Sequence, residues 1–202
     1  MKRNALLHQL VTHENTFDFI VIGGGATGLG IALDAITRGA SVALFEQDDF
    51  TKGTSSRSTK LVHGGVRYLA QGDVSLVLEA LRERGLLRKN ASHLVKNQSF
   101  LIPCYRWWEG AFYTIGLILY DLMAANLGFG RSFCIGPKRA VKTIPMLRKK
   151  GMKAGVIYHD GQFDDSRLAI NIAQTAVDAG ACVLNYMKVT NLIKQEGKVC
   201  GV

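Results

Sequence analysis

Short apolar runs alternate along this chain with longer segments of helical period. Residues 17–22 and Ser41–Phe45 (SVALF) have strand length and little polarity, as strands buried on both faces of a parallel sheet do. Between them, residues 26–38 are Ala- and Leu-rich and end at Arg38-Gly39, a helix stop signal. Leu6, Leu7, Leu10 and Val11 predict a short surface helix within residues 1–16. Residues 74–97 predict one or two helices, with Leu76, Leu78, Leu81, Leu86 and Leu87 apolar and Glu79, Glu83 and Arg84 on the polar face. Phe100–Pro103 reads as a short strand ending at proline, and Gly155–His159 as a strand followed by an Asp160-Gly161 turn. Asp164 or Asp165 caps a helix over residues 166–179 that stops at Gly180. Ala181–Tyr186 and Val189–Lys194 are strand pieces, and Lys198–Val202 resembles the first strand of a hairpin whose partner is absent. Strands alternating with helices in this way predict an α/β fold with a parallel sheet.

The junction after the first strand carries the first chemistry. Gly23-x-Gly25-x-x-Gly28 joins strand to helix, the form of a dinucleotide fingerprint. Gly23 suits the tight turn, Gly25 admits a pyrophosphate against bare backbone, and Gly28 lets helix and strand approach closely. Ala26 and Thr27 open the helix, whose first N–H groups favour phosphate. Glu46 stands at the end of the second strand, 18 residues after Gly28, where a carboxylate accepts from both hydroxyls of an adenosine ribose. The competing reading of Glu46 is a solvated strand-end acid. As a ribose ligand it disfavours a 2′-phosphate, which leaves NAD and FAD as the candidates.

Composition changes the picture in three ways. With 202 residues, 48% of them hydrophobic, the chain can bury a core. A net charge of +9 favours anionic partners. Nucleic acid would fit that charge, but no nucleic-acid reader motif is present. Cys104, Cys134, Cys182 and Cys200 lack paired or metal-ligand spacing, so they read as buried or free thiols of a reducing compartment. Asp160, Asp164 and Asp165 read as turn and cap residues in preference to a metal cluster, and no metal is expected. The first 16 residues, with His8, His13 and Glu14, lack a signal-peptide pattern, which points to the cytoplasm.

Residues 51–69 decide between the dinucleotides. An NAD domain would usually pass from its second strand into a crossover helix. Here Thr54, Ser55, Ser56, Ser58 and Thr59 cluster ahead of Lys60, Leu61, His63-Gly64-Gly65 and Arg67-Tyr68. Small hydroxyls donate to phosphate or cap a helix, and Gly64-Gly65 permits close approach to a flat ring. With Glu79-Ala80-Leu81-x-Glu83-Arg84, Pro103, Gly116-Leu117-x-x-Tyr120-Asp121 and Tyr158-x-Asp160-Gly161-Gln162-x-Asp164-Asp165-Ser166-Arg167-Leu168, these strings resemble the FAD-dependent, quinone-linked glycerol-3-phosphate dehydrogenases over nearly the whole chain after residue 17.

The resemblance implies a Rossmann-like FAD-binding domain of the glutathione-reductase/amino-acid-oxidase type, with part of a substrate-binding domain. It divides the chain into an N-terminal extension (1–16), an FAD-binding βαβ segment (17–95), a partial substrate-binding or membrane-facing segment (96–158) and a return to the FAD domain (159–202). The remainder of the fold would follow Val202. The implied reaction is hydride transfer from C2 of sn-glycerol 3-phosphate to flavin N5, giving dihydroxyacetone phosphate, with electrons passed to a membrane quinone. FAD would lie against Gly23, Gly25, Ala26, Thr27, Gly28, Glu46, Thr54, Ser55, Ser56 and Ser58, with Lys60, Leu61, His63, Gly64 and Gly65 along the flavin and its ribityl-phosphate arm. Backbone of Val189 would meet adenine. Arg67 and Tyr68 would reach the substrate side; a guanidinium suits phosphate or a developing alkoxide. His63 is a base by residue type, though packing and hydrogen bonding at the flavin is the favoured role. The whole protein would admit a homodimer. An oxidase using oxygen, an NAD-binding protein and an inactive FAD-binding fragment are the alternatives.

Two further stretches bear on a membrane. Trp107, Trp108 and Tyr113 precede an apolar run, Ile115–Ala125, that is broken by Asp121 and shorter than the roughly 20 residues needed to span a bilayer. A buried helix is favoured there over an interfacial one. From Leu122 to His159 there is no acid, against eight bases: Arg131, Lys138, Arg139, Lys142, Arg148, Lys149, Lys150 and Lys153. That stretch suits peripheral contact with an anionic membrane, at the inner face of the plasma membrane.

Overall fold

The structure, a computed structural model, describes residues 2–12, 16–69 and 71–202. The chain runs through α1 (Arg3–Thr12), β1 (Phe19–Ile22), α2 (Ala26–Thr37) and β2 (Val42–Phe45). A 3-10 turn at Thr54–Ser56 precedes β3 (Leu61–Val62), α3 (Val66–Leu69) and α4 (Val74–Asn90). Next come β4 (Lys96–Cys104), α5 (Glu109–Ala124), β5 (Phe133–Ile135) and α6 (Pro137–Thr143). The chain closes with β6 (Ala154–Gln162), α7 (Asp165–Asp178), β7 (Cys182–Leu184), β8 (Ile193–Gln195) and β9 (Lys198–Gly201).

These elements form two compact units, one of residues 1–59 with 164–202 and one of residues 60–163. The units divide elsewhere than at the expected 95/96 and 158/159, because of a pairing between residues distant in sequence. Leu61 and Val62 already pair with Gln162 and Gly161, so the chain enters the second unit's sheet at β3.

The first unit is layered. Its parallel sheet has the order β1-β2-β7. Val42, Leu44 and Val183 face α2 and α7, joining Leu29, Ala32, Ala169, Ala173 and Ala176 in one core. Alternate residues Ala43, Phe45, Cys182 and Leu184 pack with Leu6 of α1. Period-2 alternation thus gives β2 a helix layer on each side, and all four of its residues are buried. β1 departs from the expected double burial. It is an edge strand in which Val21 alone is buried, while Phe19, Ile20 and Ile22 stay exposed.

Two terminal expectations also change. Val189 lies outside any strand and packs against the α1-side core; the strand begins at Ile193. β9 is the second strand of a hairpin, not the first, and its partner is β8. Glu196 and Gly197 make the turn, both at positive φ (50° and 78°), as a two-residue hairpin loop requires.

The second unit is built on a long antiparallel ladder, β4 with β6, from Lys96↔Gln162 to Cys104↔Ala154. On the other edge of β6, β3 and β5 take its two ends. Pro103 sits inside β4 instead of ending it. β4 pairs on one side only, and such an edge tolerates a missing N–H. The Asp160-Gly161 turn is likewise absent, because β6 continues straight through to Gln162. α5 packs Leu117 against Cys104 and Val156, and Tyr120 and Ala124 against Val77 and Leu81 of α4.

Candidate functional site

In the first unit the glycine junction has the geometry its spacing requires. Gly23 takes φ +110°, and a Cβ on Gly28 would collide with the Gly23 carbonyl and touch Val21 Cγ1. Gly25 is the N-cap of α2 and contributes no side chain to capping, so the first N–H groups of the helix face outward without intrahelical partners. One of them, Ala26 N–H, donates to Ser55 Oγ at 2.9 Å. Glu46 accepts from Gly24 N–H through Oε2 (2.7 Å) and from Asp48 N–H through Oε1 (2.8 Å). A carboxylate has about four lone-pair sites, so acceptor capacity remains for two ribose hydroxyls.

An open cleft of about 560 Å³ lies over this junction, lined by Gly25, Glu46, Thr51, Lys52, Ser55, Arg57 and their neighbours. Lys52 pairs with Asp48 at 2.7 Å. Thr54, Ser55 and Ser56 form the 3-10 turn at its wall. Ser58 is tied down differently. Its N–H (3.2 Å) and hydroxyl (2.6 Å) both donate to Asp165, a buried carboxylate. Asp165 is therefore an anchor for the hydroxyl-rich segment, and Asp164 is the helix cap, accepting from Arg167 N–H at 3.0 Å. The glycines, a helix N-terminus, a carboxylate with spare lone pairs and two cations together fit the ADP end of a dinucleotide.

In the second unit, Lys60 adopts a left-handed backbone (φ 59°) and its carbonyl accepts from Phe163 N–H. Leu61 follows in β3. His63 Nδ1 accepts from Gly65 N–H at 3.1 Å, so the neutral imidazole carries its hydrogen on Nε2 and presents a donor there. Gly65 has φ +68°, and Tyr68 N–H donates to its carbonyl at 2.8 Å. The Tyr68 side chain is exposed. Arg67 belongs to α3, but its side chain lies outside the described residues, as do His13 and Glu14.

Gly64 is glycine for a reason internal to the protein. A Cβ there would run into Leu81 and would come within 2.5 Å of Tyr120 Oη. Tyr120 Oη accepts from Gly64 N–H at 2.7 Å and donates to Asp160 Oδ1 at 3.1 Å. Arg84 Nη1 pairs with Asp160 Oδ1 and reaches Tyr120 Oη at 3.2 Å. The guanidinium lies 5.4 Å from the Tyr120 ring centroid and 4.8 Å from that of Phe129. Arg84 is only 2% exposed, which overturns its expected place on a solvated helix face, and Asp160 is a buried strand residue. Burial pushes the Asp160 carboxyl above the ordinary range, with Arg84 opposing it. Burial, then the Asp160 charge, pushes the Tyr120 phenol up as well. Only their place in the strings that carry the resemblance marked these residues; their sequence separations hide the cluster.

Comparison with known proteins decides the family. Residues 18–202 match the FAD dependent oxidoreductase family. The chain belongs to it. The chain is 47% identical over 95% of its length to human "Glycerol-3-phosphate dehydrogenase, mitochondrial", covering 28% of that protein. It is 46% identical over its full length to the Saccharomyces cerevisiae protein of the same name, covering 32% of it. A solved structure, glycerol-3-phosphate dehydrogenase from Bacillus halodurans complexed with FAD, superposes with a TM-score of 0.71 at 36% identity, over 98% of this chain and 32% of that one. The chain thus spans less than a third of these relatives' lengths. A Mycoplasma pneumoniae L-alpha-glycerophosphate oxidase, 16% identical at TM-score 0.64, shares the fold.

Proposed function

We propose that this chain supplies the FAD-holding portion of an enzyme that oxidises sn-glycerol 3-phosphate to dihydroxyacetone phosphate and passes the electrons to a membrane quinone. One observation carries the reading: a glycine-built cradle with Glu46 at its rim, in a chain 47% identical to a human glycerol-3-phosphate dehydrogenase. Gly23, Gly25, Ala26, Thr27, Gly28, Glu46, Thr54 and Ser55 would hold the ADP end, with backbone of Val189 at the adenine. Ser56, Ser58, Lys60, Leu61, His63, Gly64 and Gly65 would serve the ribityl and flavin portions. The chemistry that bound FAD supplies is two-electron acceptance, with a hydride taken from substrate C2 at flavin N5 and electrons released to the quinone.

The chain's own residues bind and orient. Arg67 stays charged at any working pH and suits the substrate phosphate. Tyr68 is proposed beside it. His63, with its hydrogen on Nε2 in the neutral form, enters as a hydrogen-bond donor and not as a base. The residues proposed for the ADP end belong to the first unit, and those proposed for the flavin from Lys60 onward, with Arg67 and Tyr68 for the substrate, belong to the second. A peripheral membrane position, at the inner face of the plasma membrane, serves a lipid-soluble acceptor. The human and yeast relatives are named as mitochondrial. A homodimer of the whole protein belongs to the same proposal.

The test is spectroscopic. Purified full-length protein should show oxidised-flavin absorption that anaerobic sn-glycerol 3-phosphate bleaches and a short-chain quinone restores. Protein without flavin would sink the reading. Reoxidation by oxygen with stoichiometric peroxide, but not by quinone, would replace the acceptor.

A further inference from the structure

Arg84, Tyr120 and Asp160 are separated by 36 to 76 residues in sequence, yet they form one buried cluster that ends on the backbone of the His63–Gly65 loop. A phenol has one hydrogen to give. Here it goes to Asp160 Oδ1, and the oxygen is approached by Arg84 Nη1 on one side and Gly64 N–H on another. The acceptor side of Tyr120 is thereby directed at Gly64. A buried ion pair adds little net stability over an apolar replacement of equal volume. Its distinctive contribution is direction: the pair orients the carboxylate, the carboxylate takes the phenolic hydrogen, and the phenolic oxygen fixes the loop. The next amide, Gly65 N–H, in turn fixes His63 through Nδ1.

We propose that Tyr120, oriented by the Arg84–Asp160 pair, is a positioning residue that sets the His63–Gly65 loop for its role at the flavin. The role at the flavin rests on the FAD reading above; the network itself does not. Packing supports the assignment. Leu81 and Tyr120 leave room at position 64 for glycine alone, so the loop cannot shift towards them. Tyr120 also belongs to the helix α5, and its ring packs with Val77, Leu81 and Ala124. The hydroxyl therefore has a fixed origin from which to hold a loop.

The test is Tyr120→Phe in the full-length protein, which keeps the ring and removes the bond to Gly64. Circular dichroism and thermal unfolding check folding. Hydrogen–deuterium exchange over residues 61–68 should rise at least about tenfold, while the β4–β6 ladder keeps its protection. In the flavin-loaded protein the visible spectrum should shift, and kcat should fall with KM little changed. Unchanged loop exchange would overturn the network. Faster exchange with an unaltered spectrum and kcat would overturn its role at the flavin. A wild-type protein that binds no flavin would refute the FAD reading and leave the exchange result to judge the network. If Tyr120→Phe does not fold, Asp160→Asn, which keeps the shape and loses the charge, should give a smaller rise in the same segment; no rise would overturn the proposal.

Discussion

At position 28 a side chain would have to occupy space held by the Gly23 carbonyl, and backbone cannot swing aside as a long side chain can. Gly28→Ala should therefore lower stability by about 1–3 kcal/mol and reduce flavin content in the purified protein. Gly30, two residues on in the same helix, has nothing within 4 Å of its missing Cβ. Gly30→Ala should be neutral or stabilising by about 0.5–1 kcal/mol, the ordinary gain within a helix. Thermal unfolding and flavin absorbance of both variants provide the check; equal losses would show that position 28 has no special packing role. Residues 23, 25 and 28 were legible because their constraint is local: one turn, one helix start, one spacing. Arg84 and Asp160 were misread because each takes its partner from a distant element. An arginine on a helical period and an aspartate before a glycine look like a solvated face and a turn until the fold brings them together.

At the scale of elements, α5 departs furthest from its expected burial. Its inner face, with Leu117, Tyr120 and Ala124, is buried, but Phe112 (60%), Ile115 (70%), Leu119 (50%) and Leu122 (71%) are exposed in one stripe at helical spacing. With the 3-10 turn that follows, Glu109–Leu127 is long and apolar enough to cross a membrane by length and composition. Because its inner face is buried and tied through Tyr120, we propose that it lies on a membrane surface and does not cross. The eight bases between Leu122 and His159 are all exposed. We expect Ile115→Glu/Leu119→Glu to leave the unfolding midpoint within about 0.5 kcal/mol of wild type, as exposed substitutions do, and to weaken binding to phosphatidylglycerol vesicles. Reversal of Arg148, Lys149 and Lys150 should cost about 1 kcal/mol per residue near such a surface. Vesicle binding unchanged by both sets would sink the membrane contact. The apolar run was readable, but which of its faces is covered depends on β5, β6 and α4, and period alone does not say that.

At the scale of the whole molecule, fold class was readable because strand and helix periods alternate, whereas the division into units was not: the commitment of Leu61 and Val62 to β6 depends on pairing across about a hundred residues. Both units carry a buried thiol, and this gives the molecule a common alkaline weakness. Burial pushes Cys182 of the first unit and Cys104 of the second above their ordinary 9.0, the latter helped by the Glu109 charge. Tyr120 is pushed above its ordinary 10.0 by burial and Asp160. In the unfolded chain these groups lose their protons near the ordinary values; in the folded chain they keep them. Above pH 9 the folded state therefore binds more protons, and stability falls as pH rises through the folded values. The urea midpoint should hold steady from pH 7 to about pH 9 and decline beyond it, and Cys104→Ala with Cys182→Ala should flatten the early part of that decline. The same burial predicts reactivity. Cys134 and Cys200 are exposed and should react with a thiol reagent in native protein, while Cys104 and Cys182 should react only on unfolding. Four thiols reacting at one rate under native conditions would contradict both the packing of β4 and β7 and the alkaline linkage that follows from it.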